Sequence, residues 1–222
     1  MIEIRHRETQ EILLEIDAAS LEQQRLSGAK LWGADLAGRK MRQINLTSCD
    51  LRDADLSKSD LNGAIMNGTC LNGAVLDEAN LKGVNLTNAQ LIGASLNGAV
   101  MAGAKMRYAQ LSGAIMCGVN LAGADLSMAD LRANLMDADL SGADLRGANL
   151  TGANLNRANL DRADLTGANL TSARMVGARM GSVINRSLSK SQPPPARGAA
   201  AKSGSAGRTA TKPSRPWWKF WG

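Results

Sequence analysis

The 222-residue chain is 44% apolar but only 3% aromatic, so its interior cannot lean on the buried rings that dominate an ordinary core of this size. Its formal charge of +6 is lopsided: residues 1–164 hold 16 Lys/Arg against 20 Asp/Glu, whereas residues 165–222 hold 10 Lys/Arg and no acid. One histidine (His6), three cysteines outside any CxxC (Cys49, Cys70, Cys117), no run of 18 apolar residues and an acidic start (Glu3, Glu8, Glu11, Glu15) argue against a zinc centre, a disulfide framework, a membrane-spanning helix and a signal peptide.

Residues 1–20 are expected to form a cap. Residues 2–16 alternate, with Ile2, Ile4, Ile12, Leu14 and Ile16 on one face and Arg7-Glu8-Thr9-Gln10 as the turn, which predicts a β-hairpin; a short helix over residues 8–25 is the competing reading. His6 is expected to be a solvated surface residue, with no catalytic part.

From residue 21 to 185 the chain is periodic. Leu or Met recurs every five residues from Leu26 to Leu131, steps by four to Leu135, then returns to five through Met180: 22 centres before the slip and 10 after it. Two residues before each centre stands a small residue, as in Ala54, Ala94 and Ala138, and the residue between is commonly Asp or Asn, as in Asp55, Asp125 and Asn149. A period of five belongs neither to a helix nor to a flat strand. It fits a square coil, one pentapeptide per side, with the centre pointing to the axis, the small residue filling the rest of the bore, and Gly, Asn and Asp at the corners. Thirty-two centres give about eight coils, a rod roughly 38 Å long at about 4.8 Å per coil. Arg39 stands at a small inward position, so the first coils are expected to be distorted or open near Arg39, Lys40 and Arg42. The slip at Arg132-Ala133-Asn134 is expected to shorten one side, as a tolerated deletion at a corner or as a hinge that kinks the rod. Cys49 falls inward, Cys70 and Cys117 outward where reagents could reach them, and the Met centres read as core filler rather than metal ligands.

Runs such as Ala143-Asp144-Leu145-Arg146-Gly147 and Ala153-Asn154-Leu155-Asn156-Arg157 resemble the A-(D/N)-L-x-x motif of the pentapeptide-repeat family, over about residues 26–183. The resemblance implies an all-β fold, a right-handed quadrilateral β-helix. It also raises one activity, since some family members mimic DNA and bind type II topoisomerases. Here the repeat region is only mildly acidic.

Residues 186–222 change composition. They hold Pro193-Pro194-Pro195, eight Lys/Arg and no acid, and end in Pro216-Trp217-Trp218-Lys219-Phe220-Trp221-Gly222. So hydrophobic-poor a stretch predicts a disordered basic tail, and its aromatic end predicts a docking element. Lys212, Arg215, Trp217, Trp218, Lys219, Phe220 and Trp221 are the candidate contact residues, toward an anionic membrane surface, a partner protein or, less favoured, nucleic acid.

These readings converge on a non-enzymatic protein-binding or scaffolding module, cytoplasmic and peripheral to the inner membrane, with no cofactor, no metal and an unnamed protein partner. Oligomers by end stacking or side packing fit the rod shape. A DNA-mimic binder of gyrase and an enzyme accessory protein are the alternative readings.

Overall fold

The computed structural model describes residues 1–185. After the N-terminal segment the chain advances by isolated parallel bridges, one per pentapeptide: Arg25↔Asn45, Lys30↔Asp50, Asp35↔Asp55, Lys40↔Asp60, and onward to Asp164↔Ile184. Partners lie twenty residues apart, so four pentapeptides close one turn and the bridges run in four columns. The stacking is carried by the backbone. Leu36 N–H donates to the Asp55 carbonyl at 2.8 Å, Asp55 N–H to the Ala34 carbonyl at 2.9 Å and Gly38 N–H to the Ser57 carbonyl at 2.8 Å, and this trio repeats along the rod. The fold is a β-helix solenoid.

Each side closes with a four-residue turn in which the small residue donates back to the preceding centre, as from Ala34 N–H to the Leu31 carbonyl at 3.1 Å. The third residue of that turn is left-handed. Glycine takes it at no steric cost, as at Gly98 with φ 63°, and elsewhere the chain forces Asp53, Asn88, Tyr108 or Met128 into φ between 55° and 61°. Asp or Asn before the centre steadies the corner by accepting the N–H two residues on, as Asp55 does from Ser57 at 2.9 Å.

The bore holds two residues per side. Every centre from Leu31 to Leu165 is at most 1% exposed, and each is packed against its small neighbours. Full burial of a Leu contributes about 1.5–3 kcal/mol, so the column is the main source of stability. Where the small position is polar, the side chain bonds to a carbonyl: Ser59 Oγ donates to Leu56 O, Thr69 Oγ1 to Leu46 O and Cys49 Sγ to Leu26 O. Leu21 is buried as well, so the column begins one pentapeptide earlier than the beat read from Leu26.

The slip falls entirely at a corner. Of Leu131-Arg132-Ala133-Asn134-Leu135, the absent residue is the left-handed one, and Ala133 N–H reaches the Leu131 carbonyl at 2.7 Å, closing a three-residue turn. Bridges in that turn are nineteen apart, as in Ile115↔Asn134 and Asp130↔Asn149, and return to twenty at Asn134↔Asn154. No bridge is missed, so the side keeps its length and the ladder carries no hinge, because only the corner loses an atom path.

The N-terminal segment is a hairpin and not a helix. β1 (Ile2–Arg5) pairs antiparallel with β2 (Ile12–Ile16) in the register Ile2↔Ile16, Ile4↔Leu14, Arg5↔Ile12. A bulge between Ile4 and Arg5 breaks the alternation, so Ile12 pairs with Arg5 and turns outward at 38% exposure, against the expectation that it shares the inner face. The hairpin then stands in for a missing coil: His6 bridges Ala34, Arg7 N–H donates to the Gly33 carbonyl, and Asp35 N–H donates to the Arg5 carbonyl, each bond at 2.8 Å. Arg39 does not distort the first turn. Its backbone bonds and the Lys40↔Asp60 bridge are in place, and its side chain escapes into an open cleft beside Arg5, Gln10 and Asp35 because it belongs to the outermost turn.

Candidate interaction surface

The residues singled out for docking, Lys212, Arg215, Trp217, Trp218, Lys219, Phe220 and Trp221, lie outside the described residues. Within the described residues the surface is built from four faces and four corners. Each face shows one outward column, the residues that bridge from coil to coil.

Carboxylates on these faces are engaged locally. Asp50, Asp130 and Asp144 each receive a two-pronged guanidinium from the Arg two residues on, Arg52, Arg132 and Arg146, with N–O distances of 2.5–2.8 Å. The hydrogen bond from each Arg holds its carboxyl below the ordinary range. Arg157 grips Asp137 one coil away in the same manner. Asp53 accepts the Trp32 indole N–H at 3.1 Å. No group of three or more His, Cys, Asp or Glu able to hold a metal forms among the described residues. No helix long and apolar enough to cross a membrane occurs among them either.

His6 overturns the expectation of a solvated side chain. It is 5% exposed, because the hairpin docks it against the first turn. Its Nδ1 accepts the N–H groups of Glu8 and Thr9 at 3.2 Å, its ring meets Trp32 at 5.0 Å, and its Nε2 is buried with no hydrogen-bond partner. Cys49 is in the bore, where burial pushes its thiol up; Cys70 and Cys117 are half-buried on the outside.

One corner departs from the pattern. Among the described non-glycine residues in the left-handed corner position, only Tyr108 and Met128 are large and apolar, and they stand on successive coils of the same corner. They remain 45% and 52% exposed. Arg107 lies over the Tyr108 ring at 4.9 Å and donates to its hydroxyl at 3.1 Å. Met128 reaches along the corner over Gly147, and a cleft of about 460 Å³ opens between Arg107, Asp125, Ser127, Met128 and Arg146. At the next corner the deletion leaves a notch of about 280 Å³, lined by Gly113, Ile115, Arg132, Ala133 and Gly152 among others. The sequence reading passed over Tyr108 and Met128 because both sit at permissive positions of the motif. A large apolar residue in the slot that favours glycine was the available signal.

The pentapeptide-repeat family model matches the chain in eight copies, over residues 40–77, 79–116, 101–133, 117–157, 133–171 and 148–183. The chain belongs to the pentapeptide-repeat family. It is similar to HetL of the cyanobacterium Nostoc sp. strain PCC 7120, a pentapeptide repeat protein involved in heterocyst differentiation regulation, at 32% identity over 75% of this chain and 86% of that one, TM-score 0.30. A pentapeptide repeat protein of the Arabidopsis thaliana thylakoid lumen is 32% identical over 42% of this chain and 66% of that one, TM-score 0.42. QnrB1, a plasmid-mediated fluoroquinolone resistance protein, is 19% identical over 75% of this chain and 93% of that one, TM-score 0.44. No curated protein matches the chain in sequence.

Proposed function

We propose that the chain is a non-enzymatic protein-binding scaffold: a right-handed solenoid of about eight coils whose faces dock a partner protein, with a basic aromatic tail that tethers it to an anionic membrane surface on the cytoplasmic side. The observation that carries the reading is the unbroken bridge ladder from Arg25 to Ile184, which fixes four flat faces with side chains at strand spacing. A surface held this rigidly binds without ordering itself first. For the tether, the supporting feature is the sequence of residues 186–222, eight cations and three Trp with no acid.

The test has two arms. Co-sedimentation with phosphatidylglycerol and with phosphatidylcholine vesicles compares the full chain with one ending at Lys190. Pelleting of the full chain alone, with the anionic vesicles alone and at low salt, supports the tether; equal behaviour of the two chains removes it. Photocrosslinkers at Asn85, Gln110, Ser95 and Asn120, one per face, test the scaffold in cells. An adduct of one protein from one face supports it, and no adduct from any face removes it.

Charge weighs against the DNA-mimic reading. Asp50, Asp130 and Asp144 are each neutralised by an Arg of the same face, which interrupts the stacked acids Asp125, Asp144 and Asp164 at their middle member. A supercoiling assay with gyrase is expected to show no inhibition at micromolar protein.

A further inference from the structure

The last described coil has an open edge. Along the rod each centre N–H, and each left-handed N–H, donates to a carbonyl of the next coil. Leu155 N–H reaches the Arg174 carbonyl at 2.7 Å, Arg157 N–H the Val176 carbonyl at 2.9 Å and Leu160 N–H the Arg179 carbonyl at 2.8 Å. The equivalent donors of the last coil, at Met175, Gly177 and Met180, find no acceptor among the described residues. Because the stacking bonds run along the axis, these N–H groups point out of the end. The bore is less covered there too: Leu170 and Met180 are 6% exposed, where the inner centres are at most 1%.

Charge at this end has one sign. Residues 165–185 contain no acid, and their cations are Arg174 and Arg179. These two are exposed and stand on the outward columns of adjoining faces, stacked on Asn154 and Asn159. Neither has an ion-pair partner among the described residues, whereas Arg157, one coil back at the corner between them, is held by Asp137. Val176 is the corner residue between the two cations. It is 77% exposed, more than any other large apolar residue described except Met1. Asp161 and Asp164, the last acids of the chain, lie away from this corner, and each accepts a backbone N–H, from Ser182 and Thr166, at 2.9 Å.

We infer that this end of the rod rests on an anionic membrane. Arg174, Arg179 and the open N–H groups take lipid phosphates, and Val176 enters the interface between them, so the rod stands on its last coil. A phosphate oxygen gives the open donors what the next coil's carbonyl gives elsewhere, with charge added. An exposed apolar side chain flanked by cations is the pattern of interfacial attachment. The inference rests on the reading that the chain meets an anionic membrane, and adds which part of the rod touches it.

Other placements fit less well. Away from the end both faces carry carboxylates, Asp55 on one and Asp60 and Asp139 on the other, so an anionic plane laid along either face meets like charge. A second copy stacked by its own last coil brings no acid and leaves every guanidinium without a counter-charge. Nucleic acid offers phosphates but no apolar layer for Val176.

Single cysteines bearing a polarity-sensitive fluorophore, in the full chain without its native cysteines, read the orientation. With phosphatidylglycerol vesicles the probe at Val176→Cys is expected to shift to the blue. Probes at Ser95→Cys and Val100→Cys, four coils back on the two faces, are expected to stay unchanged. The Arg174 and Arg179 side chains make no bond within the rod, so Arg174→Gln and Arg179→Gln are expected to keep the thermal midpoint. Each is expected to weaken partitioning about fivefold at low salt. A full chain that pellets while the Val176 probe stays silent overturns the inference and leaves the tether standing. Equal shifts at Ser95 or Val100, or unchanged partitioning of both Arg variants, also overturn it. Replacing Trp217, Trp218, Phe220 and Trp221 by Ser in the full chain separates the readings the other way. Undiminished pelleting with the Val176 shift intact removes the tether and keeps the coil end as the contact. No pelleting of the full chain removes both. An equal shift with duplex DNA assigns the end to nucleic acid, and a shift that grows with protein concentration without vesicles assigns it to a second copy; either result overturns the inference.

Discussion

The imidazole of His6 occupies the space that a side chain on Gly33 would fill: a Cβ there would collide with Nε2. Gly33 is also left-handed at φ 64°, so two separate requirements for glycine coincide where the hairpin meets the first turn. Gly33→Ala is expected to lower stability by about 1–3 kcal/mol, from the corner strain and the displaced cap together. Gly103→Ala meets nothing within 4 Å and is expected to cost only the backbone share. A double-mutant cycle with His6→Ala, read by chemical denaturation, separates the two: the Gly33 penalty should shrink toward that of Gly103 once the ring is gone.

The bore sets a second expectation. Leu96 is fully buried between sides already filled by one large and one small residue. Leu96→Ala is expected to destabilise by about 2–5 kcal/mol, and Ala94→Leu by about 1–3 kcal/mol through overpacking. Urea titration followed by circular dichroism measures both. Equal tolerance of the two changes would show that the bore is looser than its burial implies.

Acid sensitivity follows from the Asp–Arg pairs. Asp50, Asp130 and Asp144 have carboxyls held below their ordinary range, so the folded state binds fewer protons than the unfolded chain near pH 4. Their contribution is present above the unfolded value of about 3.9 and is lost as pH falls through the depressed folded values. The Arg partners are half in solvent or more, so the effect is modest and shrinks with salt. Replacing Arg52, Arg132 and Arg146 by Gln is expected to flatten the stability profile between neutral pH and pH 3. An unchanged profile would assign acid sensitivity to other carboxylates.

Inserting Gly between Arg132 and Ala133 restores the absent left-handed residue. Because the ladder already runs through this corner, the insertion is expected to leave the thermal midpoint unchanged or raise it, and to fill the notch. A marked loss of stability would mean that the three-residue turn is a preferred solution rather than a tolerated one.

How much of this was legible in the sequence depends on the scale at which residues act. The Leu column and its small partners were legible because the bore imposes the same demand at every fifth residue. The burial of Cys49 and the outward placement of Cys70 and Cys117 followed from the same beat. The docking of His6 was not legible, because it depends on a bulge near Arg5 and on the antiparallel contact with Ala34, neither of which any motif announces. The site of the deletion was half legible: a four-residue step shows that one residue is gone, but only the Ala133-to-Leu131 bond shows that a corner lost it. The pairing of Tyr108 with Met128 needed the twenty-residue turn as well as the five-residue beat.

That turn length has a consequence for descent. Deleting the corner residue beside Ala133 changes the register number by one and leaves every face with its own column. Losing a whole pentapeptide would keep the motif perfect and yet rotate all later residues by a quarter turn, exchanging each face for its neighbour. Duplication or loss of twenty residues alone lengthens or shortens the rod without reassigning its sides. A flawless repeat is therefore a poor guide to whether two members of such a lineage present the same surface; the number of sides inserted or lost, modulo four, is the better one.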